Sequence, residues 1–144
     1  MQNLKTKNPG KIKPNKLLGQ HFLRSREVLA DIVKAANLSP RKTVLEIGAG
    51  TGILTLELAR RAKEIVAVEK DKKFVAPLRE KLNQNNIKNV RLIEGDILKT
   101  DWQGLGLPKK YSVVANIPYY LTSRLVRNLL ESKNPPEEIH LMVQ

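Results

Sequence analysis

The chain has 144 residues and a formal net charge of +12, from 26 lysines and arginines against 14 aspartates and glutamates. This length predicts one domain, large enough to bury roughly two-thirds of its unfolded surface. The absence of cysteine excludes disulfides, thiolate zinc sites and a catalytic thiol, and we predict no metal site. The sequence has neither an apolar run of about 20 residues nor a secretion signal, which predicts a cytoplasmic protein without a membrane partner.

The first predicted segment is a basic arm over residues 1–16, followed by a folded domain over residues 17–144. No acid precedes Glu27, whereas seven cations do: Lys5, Lys7, Lys11, Lys13, Lys16, Arg24 and Arg26. We expect this arm to be flexible when free and to attract a phosphate backbone. It is then either a solvated tail or a segment that orders on contact with RNA.

Helix and strand patterns alternate along the rest of the chain, which is typical of a parallel sheet covered by helices on both faces. Helices are predicted at 26–36, with Ser25 as the N-cap, and at 52–62, 72–83 and 122–132. Strands are predicted at 43–47, 64–69, 90–94, 111–115 and 138–143, and a loop at 101–110. Pro77 would make the third helix start late or kink.

The first predicted strand turns into a helix through three glycines, Gly48, Gly50 and Gly52. Glycine lacks a Cβ, so a ligand can approach the main chain at the carboxyl end of the strand, where open α/β sheets place their binding crevice. A dinucleotide site would have its third glycine at position 53, which is Ile53 here. The loop therefore indicates a nucleotide-like site other than one for NAD, or else a purely structural turn.

Carboxylates follow the next two predicted strands. Glu69 could accept two hydrogen bonds from the ribose hydroxyls of an adenosine that lies across the end of the sheet. Asp96 could accept a hydrogen bond from the amine of its adenine. Each acid alone is the kind of solvated residue that ends many strands, but together with the glycine loop they predict an adenosine site.

The tetrapeptide Asn116-Ile117-Pro118-Tyr119 follows the fourth predicted strand. The Asn116 carboxamide oxygen and the Ile117 carbonyl can both accept hydrogen bonds from one exocyclic amine, and the Tyr119 ring offers a stacking surface. Tyr120 has a weaker claim and would pack against the following helix. Asn and Pro are also common in ordinary turns. Beside an adenosine site, the tetrapeptide predicts methylation of an amine on a base.

These segments together resemble the S-adenosylmethionine-dependent ribosomal RNA adenine dimethyltransferases, whose bacterial member acts on the small subunit. The resemblance runs from about Leu17 to the last residue and implies an α/β fold of the Rossmann-like class I methyltransferase type. Its most specific motifs are Leu18-Gly19-Gln20-His21-Phe22-Leu23, Leu45-Glu46-Ile47-Gly48-Ala49-Gly50-Thr51-Gly52, Gly95-Asp96-Ile97-Leu98 and Asn116-Ile117-Pro118-Tyr119-Tyr120.

The resemblance also implies a role for each matching residue. The cofactor-binding set is Gln20, His21, Leu23, Gly48, Gly50, Glu69, Asp96, Ile97 and Asn116, and the catalytic set is Asn116, Ile117, Pro118 and Tyr119. His21 and the Leu23 backbone would close over the cofactor, and Gly48 would lie under its methionine part. Glu69 would hold the ribose, and Asp96 with Ile97 the adenine.

Members of this family continue through two more strands and a small helical domain, which this chain lacks. We therefore expect a sheet truncated after its fifth strand, whose open edge would lower stability or favour self-association. The form with full family length is expected to be a monomer.

The predicted activity is dimethylation of adenine N6 in small-subunit, 16S-type ribosomal RNA, with a precursor of the small subunit as partner in ribosome biogenesis. One alternative is a large-subunit, 23S-type enzyme of the macrolide-resistance kind, and another is a non-catalytic RNA-binding or transcription-assisting relative. The third is a DNA adenine methyltransferase, which usually has proline where this chain has Ile117. The motif around His21 favours the small subunit, and the tetrapeptide Asn116-Ile117-Pro118-Tyr119 together with Glu69 favours an enzyme over a non-catalytic relative.

Overall fold

A computed structural model describes residues 25–143. The basic arm over residues 1–16 and the predicted cofactor residues Gln20, His21 and Leu23 lie outside the described residues, so their assignments stay predictions. Within residues 25–143 the strands are β1 Thr43–Ile47, β2 Glu64–Glu69, β3 Val90–Glu94, β4 Ser112–Ile117 and β5 Glu138–Val143. All their pairings are parallel, and the order across the sheet is β3-β2-β1-β4-β5.

Helices cover both faces of this sheet, which confirms the predicted α/β class. They are α1 Arg26–Ala35, α2 Ile53–Ala59, α3 Lys72–Gln84 and α4 Thr122–Glu131, with short 3-10 helices at Gln103–Leu105 and Tyr119–Leu121. Buried residues of α1, α2 and α3 pack against one face of the sheet. Buried residues of α4 and of the Gln103–Leu105 segment pack against the other.

The core lies on both sides of β1, the middle strand, because side chains alternate between the faces of a strand. Val44 belongs to the cluster under α1, α2 and α3, while Leu45 and Ile47 belong to the cluster under α4. Val44 and Leu45 are fully buried, and each such side chain stabilises the fold by roughly 1.5–3 kcal/mol. The strand β1 is therefore packed along its whole length on both faces.

The helix α3 begins one residue after Asp71, whose side chain accepts a hydrogen bond from the Lys73 amide at 3.0 Å. The late start that Pro77 suggested does not occur, because α3 runs from Lys72 through Pro77 to Gln84. Pro77 is exposed, so water can bond the carbonyl that loses its usual N–H donor. The start of α3 therefore follows directly on the end of β2.

Strand β4 is longer than predicted, because it ends at Ile117 rather than at residue 115. Asn116 is paired with Met142 of β5, and Ile117 with Val143. Half of the tetrapeptide is therefore strand, and Pro118 with Tyr119 makes the turn. Pairing within the sheet fixes the backbone of Asn116, which an isolated turn would not do.

Candidate active site

A cleft of about 340 Å³ opens at the carboxyl ends of the strands. This volume is within the range of small-molecule sites. The predicted site residues that line the cleft are Gly48, Gly50, Glu69, Asp96, Ile97, Asn116, Ile117 and Pro118. Tyr119 is the one predicted site residue among residues 25–143 that does not line it. Segments that are far apart along the chain thus meet at one place.

The glycine loop between β1 and α2 forms one wall of the cleft, with left-handed backbone at Gly48 (φ +79°), Gly50 (φ +54°) and Gly52 (φ +82°). A Cβ added at Gly48 would stand 3.8 Å from the backbone oxygen of Asn116, in the space between the loop and the end of β4. A Cβ at Gly52 would instead overlap Cδ1 of Leu78 in α3. Gly48 therefore keeps ligand space open, while Gly52 permits close packing.

Glu69, at the end of β2, is buried and joins two walls of the cleft. Its Oε2 accepts a hydrogen bond from the Gly50 amide at 2.7 Å, and its Oε1 accepts one from the Asp71 amide at 2.7 Å. A carboxylate oxygen has two acceptor positions, so each can still accept a hydroxyl of a ribose. The bonds to Gly50 and Asp71 were not foreseen from the sequence, since nothing in the local pattern indicates them.

Asp96, after β3, is held as an ionised acceptor. Its Oδ1 accepts from the Leu98 amide at 3.0 Å, and its Oδ2 lies 3.0 Å from Nζ of Lys70. Partial burial raises the pKa of Asp96, but the hydrogen bonds from Lys70 and Leu98, together with the charges of Lys70 and Lys99, outweigh it and hold the pKa below its usual value. Sequence reasoning missed Lys70, although its position directly after Glu69 is a usable signal.

The apolar and aromatic side of the cleft comes from residues that the sequence reasoning did not assign to the site. These residues line the cleft: Phe74 of α3, Tyr120 and Leu121 of the short 3-10 helix, and Leu125 of α4. Tyr119 is 72% exposed, and its ring centre lies 5.9 Å from that of Tyr120 in an edge-to-face arrangement. Tyr120 is therefore a wall of the cleft, and Tyr119 stands outside it at the rim.

Glu46, in the middle of the sheet, is an acid outside the cleft lining. It is 1% exposed, and neither of its carboxylate oxygens has a hydrogen-bond partner among residues 25–143. Burial and the charge of Glu69 raise its pKa from 4.5 to about 7, and the side chain of Thr55 counteracts this only in part. Ionisation of Glu46 therefore destabilises the folded state.

Between residues 25 and 143 no group of three histidines or acids is arranged to hold a metal ion. No helix in this range is both long and apolar enough to cross a bilayer.

Comparison with known proteins identifies relatives along nearly the whole chain. A family model described as ribosomal RNA adenine dimethylase matches residues 11–144. The ribosomal RNA small subunit methyltransferase A of Dehalococcoides mccartyi is 48% identical over 134 residues, and the protein of that name from Clostridium botulinum is 43% identical over 139. These matches cover 92% and 95% of this chain but 45% and 50% of the relatives. The chain thus spans about half the length of the curated relatives it matches.

Solved structures agree with this relationship. The 23S rRNA methyltransferase ErmE is 35% identical in sequence, with a TM-score of 0.75. The match covers 86% of this chain and 48% of the ErmE chain. A dimethyladenosine transferase from Plasmodium falciparum is 31% identical in sequence, with a TM-score of 0.76. That match covers 86% of this chain and 43% of the transferase chain. The predicted class I methyltransferase fold is confirmed by these neighbours.

Proposed function

Because the chain belongs to the ribosomal RNA adenine dimethylase family, we propose that it transfers methyl groups from S-adenosylmethionine to N6 of adenine in small-subunit ribosomal RNA. The observation that carries this proposal is the convergence of Gly48, Glu69, Asp96 and Asn116 on one cleft. The names of the relatives at 43–48% identity support the small subunit as substrate.

The residues of the cleft suit each part of S-adenosylmethionine. When bound, this cofactor supplies a methyl group on a sulfonium sulfur, which the lone pair of an amine can attack directly. The open backbone at Gly48 and Gly50 leaves room for the methionine part, and Glu69 accepts from the ribose hydroxyls. Asp96, whose pKa is lowered, stays ionised at neutral pH and accepts from the adenine amine. Ile97 is 8% exposed and offers an apolar surface to the ring.

Asn116 and Ile117 would hold the target base for the transfer. The Asn116 carboxamide oxygen and the Ile117 carbonyl each accept one of the two N6 hydrogens, which orients the nitrogen lone pair. Their pairing with β5 keeps both residues in place before the base arrives. No strong base is needed, since a proton can leave after methylation makes the nitrogen cationic. One N6 hydrogen remains after the first transfer, so the base must rotate or rebind for the second.

Tyr119 would stack on the splayed target base. Its ring is 72% exposed at the rim, where a base that leaves an RNA strand can reach it. By analogy with other contacts between bases and aromatic rings, this stacking contributes on the order of 1–3 kcal/mol. Pro118 fixes the backbone between the strand and the stacking ring.

Gln20, His21 and Leu23 would cover the cofactor, and the basic arm over residues 1–16 would contact RNA. The protein would act in the cytoplasm on a precursor of the small ribosomal subunit, as a monomer in its form with full family length.

A large-subunit activity is the second candidate, because the 23S rRNA methyltransferase ErmE is 35% identical to this chain. Purified small and large subunits that lack the modification, incubated with methyl-labelled S-adenosylmethionine, separate the two. We expect label in small-subunit RNA, recovered as N6,N6-dimethyladenosine after nuclease digestion. Label confined to large-subunit RNA would favour the second candidate. Saturable cofactor binding without any transfer would favour a non-catalytic relative.

A further inference from the structure

The helix α4 flanks the cleft and turns a basic side toward solvent. Leu121 and Leu125 line the cleft, and Leu125 and Leu129 are buried in the core beneath the helix. Arg124 and Arg127 are exposed, on the side of the helix that faces away from these leucines. Since residues three apart lie on the same face of a helix, the two guanidinium groups form one surface, which we call the α4 arginine face.

The α4 arginine face carries charge that the fold does not neutralise. Neither Arg124 nor Arg127 makes an ion pair within the described range, and the acid of α4, Glu131, lies at the far end of the helix. The lysines at the β2 end of the cleft differ, since Lys70 pairs with Asp96 at 3.0 Å and Lys72 pairs with Glu94 at 3.6 Å. These two lysines are thus paired with acids, whereas the two arginines of α4 are not.

Two exposed aromatic rings directly precede α4 in the chain, and that of Tyr120 lines the cleft. Tyr119 is 72% exposed and Tyr120 is 53% exposed, and both lie in the 3-10 helix that leads directly into α4. Aromatic rings stack on bases of any sequence, and guanidinium groups bind phosphate oxygens through two parallel hydrogen bonds. The bases of a single strand could thus contact the cleft and the two rings, while its phosphates contact the two arginines that follow them in the chain.

We infer that the α4 arginine face binds phosphates of the RNA strand next to the adenosine that enters the cleft. This inference rests on the proposed function and adds the path of the strand, which leaves the cleft past Tyr119 and follows α4. Arg124 and Arg127 make no ion pair within the described range, whereas Lys72, at the start of α3, pairs with Glu94. Duplex RNA is the competing ligand, because its phosphates carry the same charge.

The test compares two variants that each lose two positive charges. The first is Arg124→Gln with Arg127→Gln. The matched control is Lys109→Gln with Lys110→Gln, because both lysines are exposed and precede β4, at the opposite end of the sheet from the cleft. The probe is a fluorescein-labelled single strand of about 12 uridines with one central adenosine, which is within the usual site size for single-strand binding. Anisotropy titrations at several salt concentrations give the affinity and its salt dependence.

The arginine variant should bind the strand on the order of tenfold more weakly at low salt. Its plot of the logarithm of the binding constant against the logarithm of salt concentration should have a slope less negative by about 1.4, as expected for two lost phosphate contacts. The lysine control should retain the slope of the unaltered chain. Equal losses in both variants would reduce the effect to net charge and overturn the inference, as would an unchanged slope in the arginine variant. Tighter binding of the matched duplex than of the single strand would also overturn it.

Cofactor titration separates a failure of this inference from a failure of the proposed function. Both variants should bind S-adenosylmethionine like the unaltered chain, because neither pair of residues lines the cleft. If the unaltered chain methylates small subunits and the arginine variant keeps its RNA affinity and KM, the inference alone fails. If the unaltered chain binds the cofactor and methylates neither subunit, the proposed function fails first.

Discussion

Glu69 accepts a hydrogen bond from the Gly50 amide at 2.7 Å, which ties the end of β2 to the glycine loop that follows β1. The other oxygen of the same carboxylate accepts from the Asp71 amide, also at 2.7 Å. Hydrogen bonds to a charged acceptor contribute roughly 1.5–3 kcal/mol each. The carboxylate thus organises two walls of the cleft before any ligand binds.

Replacing Glu69 with alanine should weaken cofactor binding. The substitution removes both backbone bonds and the acceptor for the ribose, so we expect a loss of about 1–3 kcal/mol, or roughly 5- to 150-fold in the dissociation constant for S-adenosylmethionine. Isothermal titration measures it. Glu94→Ala is the matched control, because Glu94 also ends a strand but does not line the cleft. Equal affinities in the Glu69→Ala and Glu94→Ala proteins would contradict the assignment.

Gly52→Ala should destabilise the fold. Residue 52 has φ +82°, and the added methyl group would overlap Cδ1 of Leu78, which is 1% exposed. Overpacking of this kind costs about 1–3 kcal/mol in the free energy of unfolding. The control is Gly104→Ala, where the nearest atom to the new Cβ is Oδ2 of Asp101 at 3.7 Å. Urea denaturation should show a lower midpoint for Gly52→Ala only, and a shared midpoint would refute the packing role of Gly52.

Glu46→Gln should change how stability depends on pH. The folded pKa of Glu46 is about 7 against an ordinary 4.5, so between these pH values the folded state keeps a proton that the unfolded state has lost. The contribution of Glu46 to stability therefore falls as pH rises through this window, by about 3 kcal/mol in total. The difference in unfolding free energy between Glu46→Gln and the unaltered chain should grow in favour of glutamine from pH 5 to pH 8. Parallel curves for the two proteins would show that Glu46 does not titrate this way.

Most strand positions could be predicted from the sequence because each strand contains a short run rich in valine, isoleucine and leucine. β1, β2, β3 and β5 have the predicted bounds. The end of β4 was predicted two residues early, since Asn116 and Pro118 are residues that favour turns. Pairing of Asn116 with Met142, which is distant along the chain, outweighs that local preference.

The sequence indicated several of the residues that line the cleft, but not the contacts between them. Glycines and acids at strand ends indicate a cleft, because parallel strands all end at one edge of the sheet. The bond from Gly50 to Glu69 joins positions 19 residues apart and depends on the distance between two loops. Likewise, Tyr119 and Tyr120 are chemically identical, and only the 3-10 turn after Pro118 decides which ring faces the cleft.

The central claim is that the methyl group and the target base meet at Asn116. The most direct test measures single-turnover transfer of labelled methyl from S-adenosylmethionine to small-subunit RNA by the Asn116→Ala protein. The cofactor dissociation constant is measured on the same protein. Without the carboxamide the target amine loses one of two orienting acceptors, and misplacement of a reacting group costs on the order of 100-fold in rate. We expect this loss in transfer with a far smaller change in cofactor affinity. A transfer rate equal to that of the unaltered chain would contradict the claim that the methyl group and the base meet at Asn116.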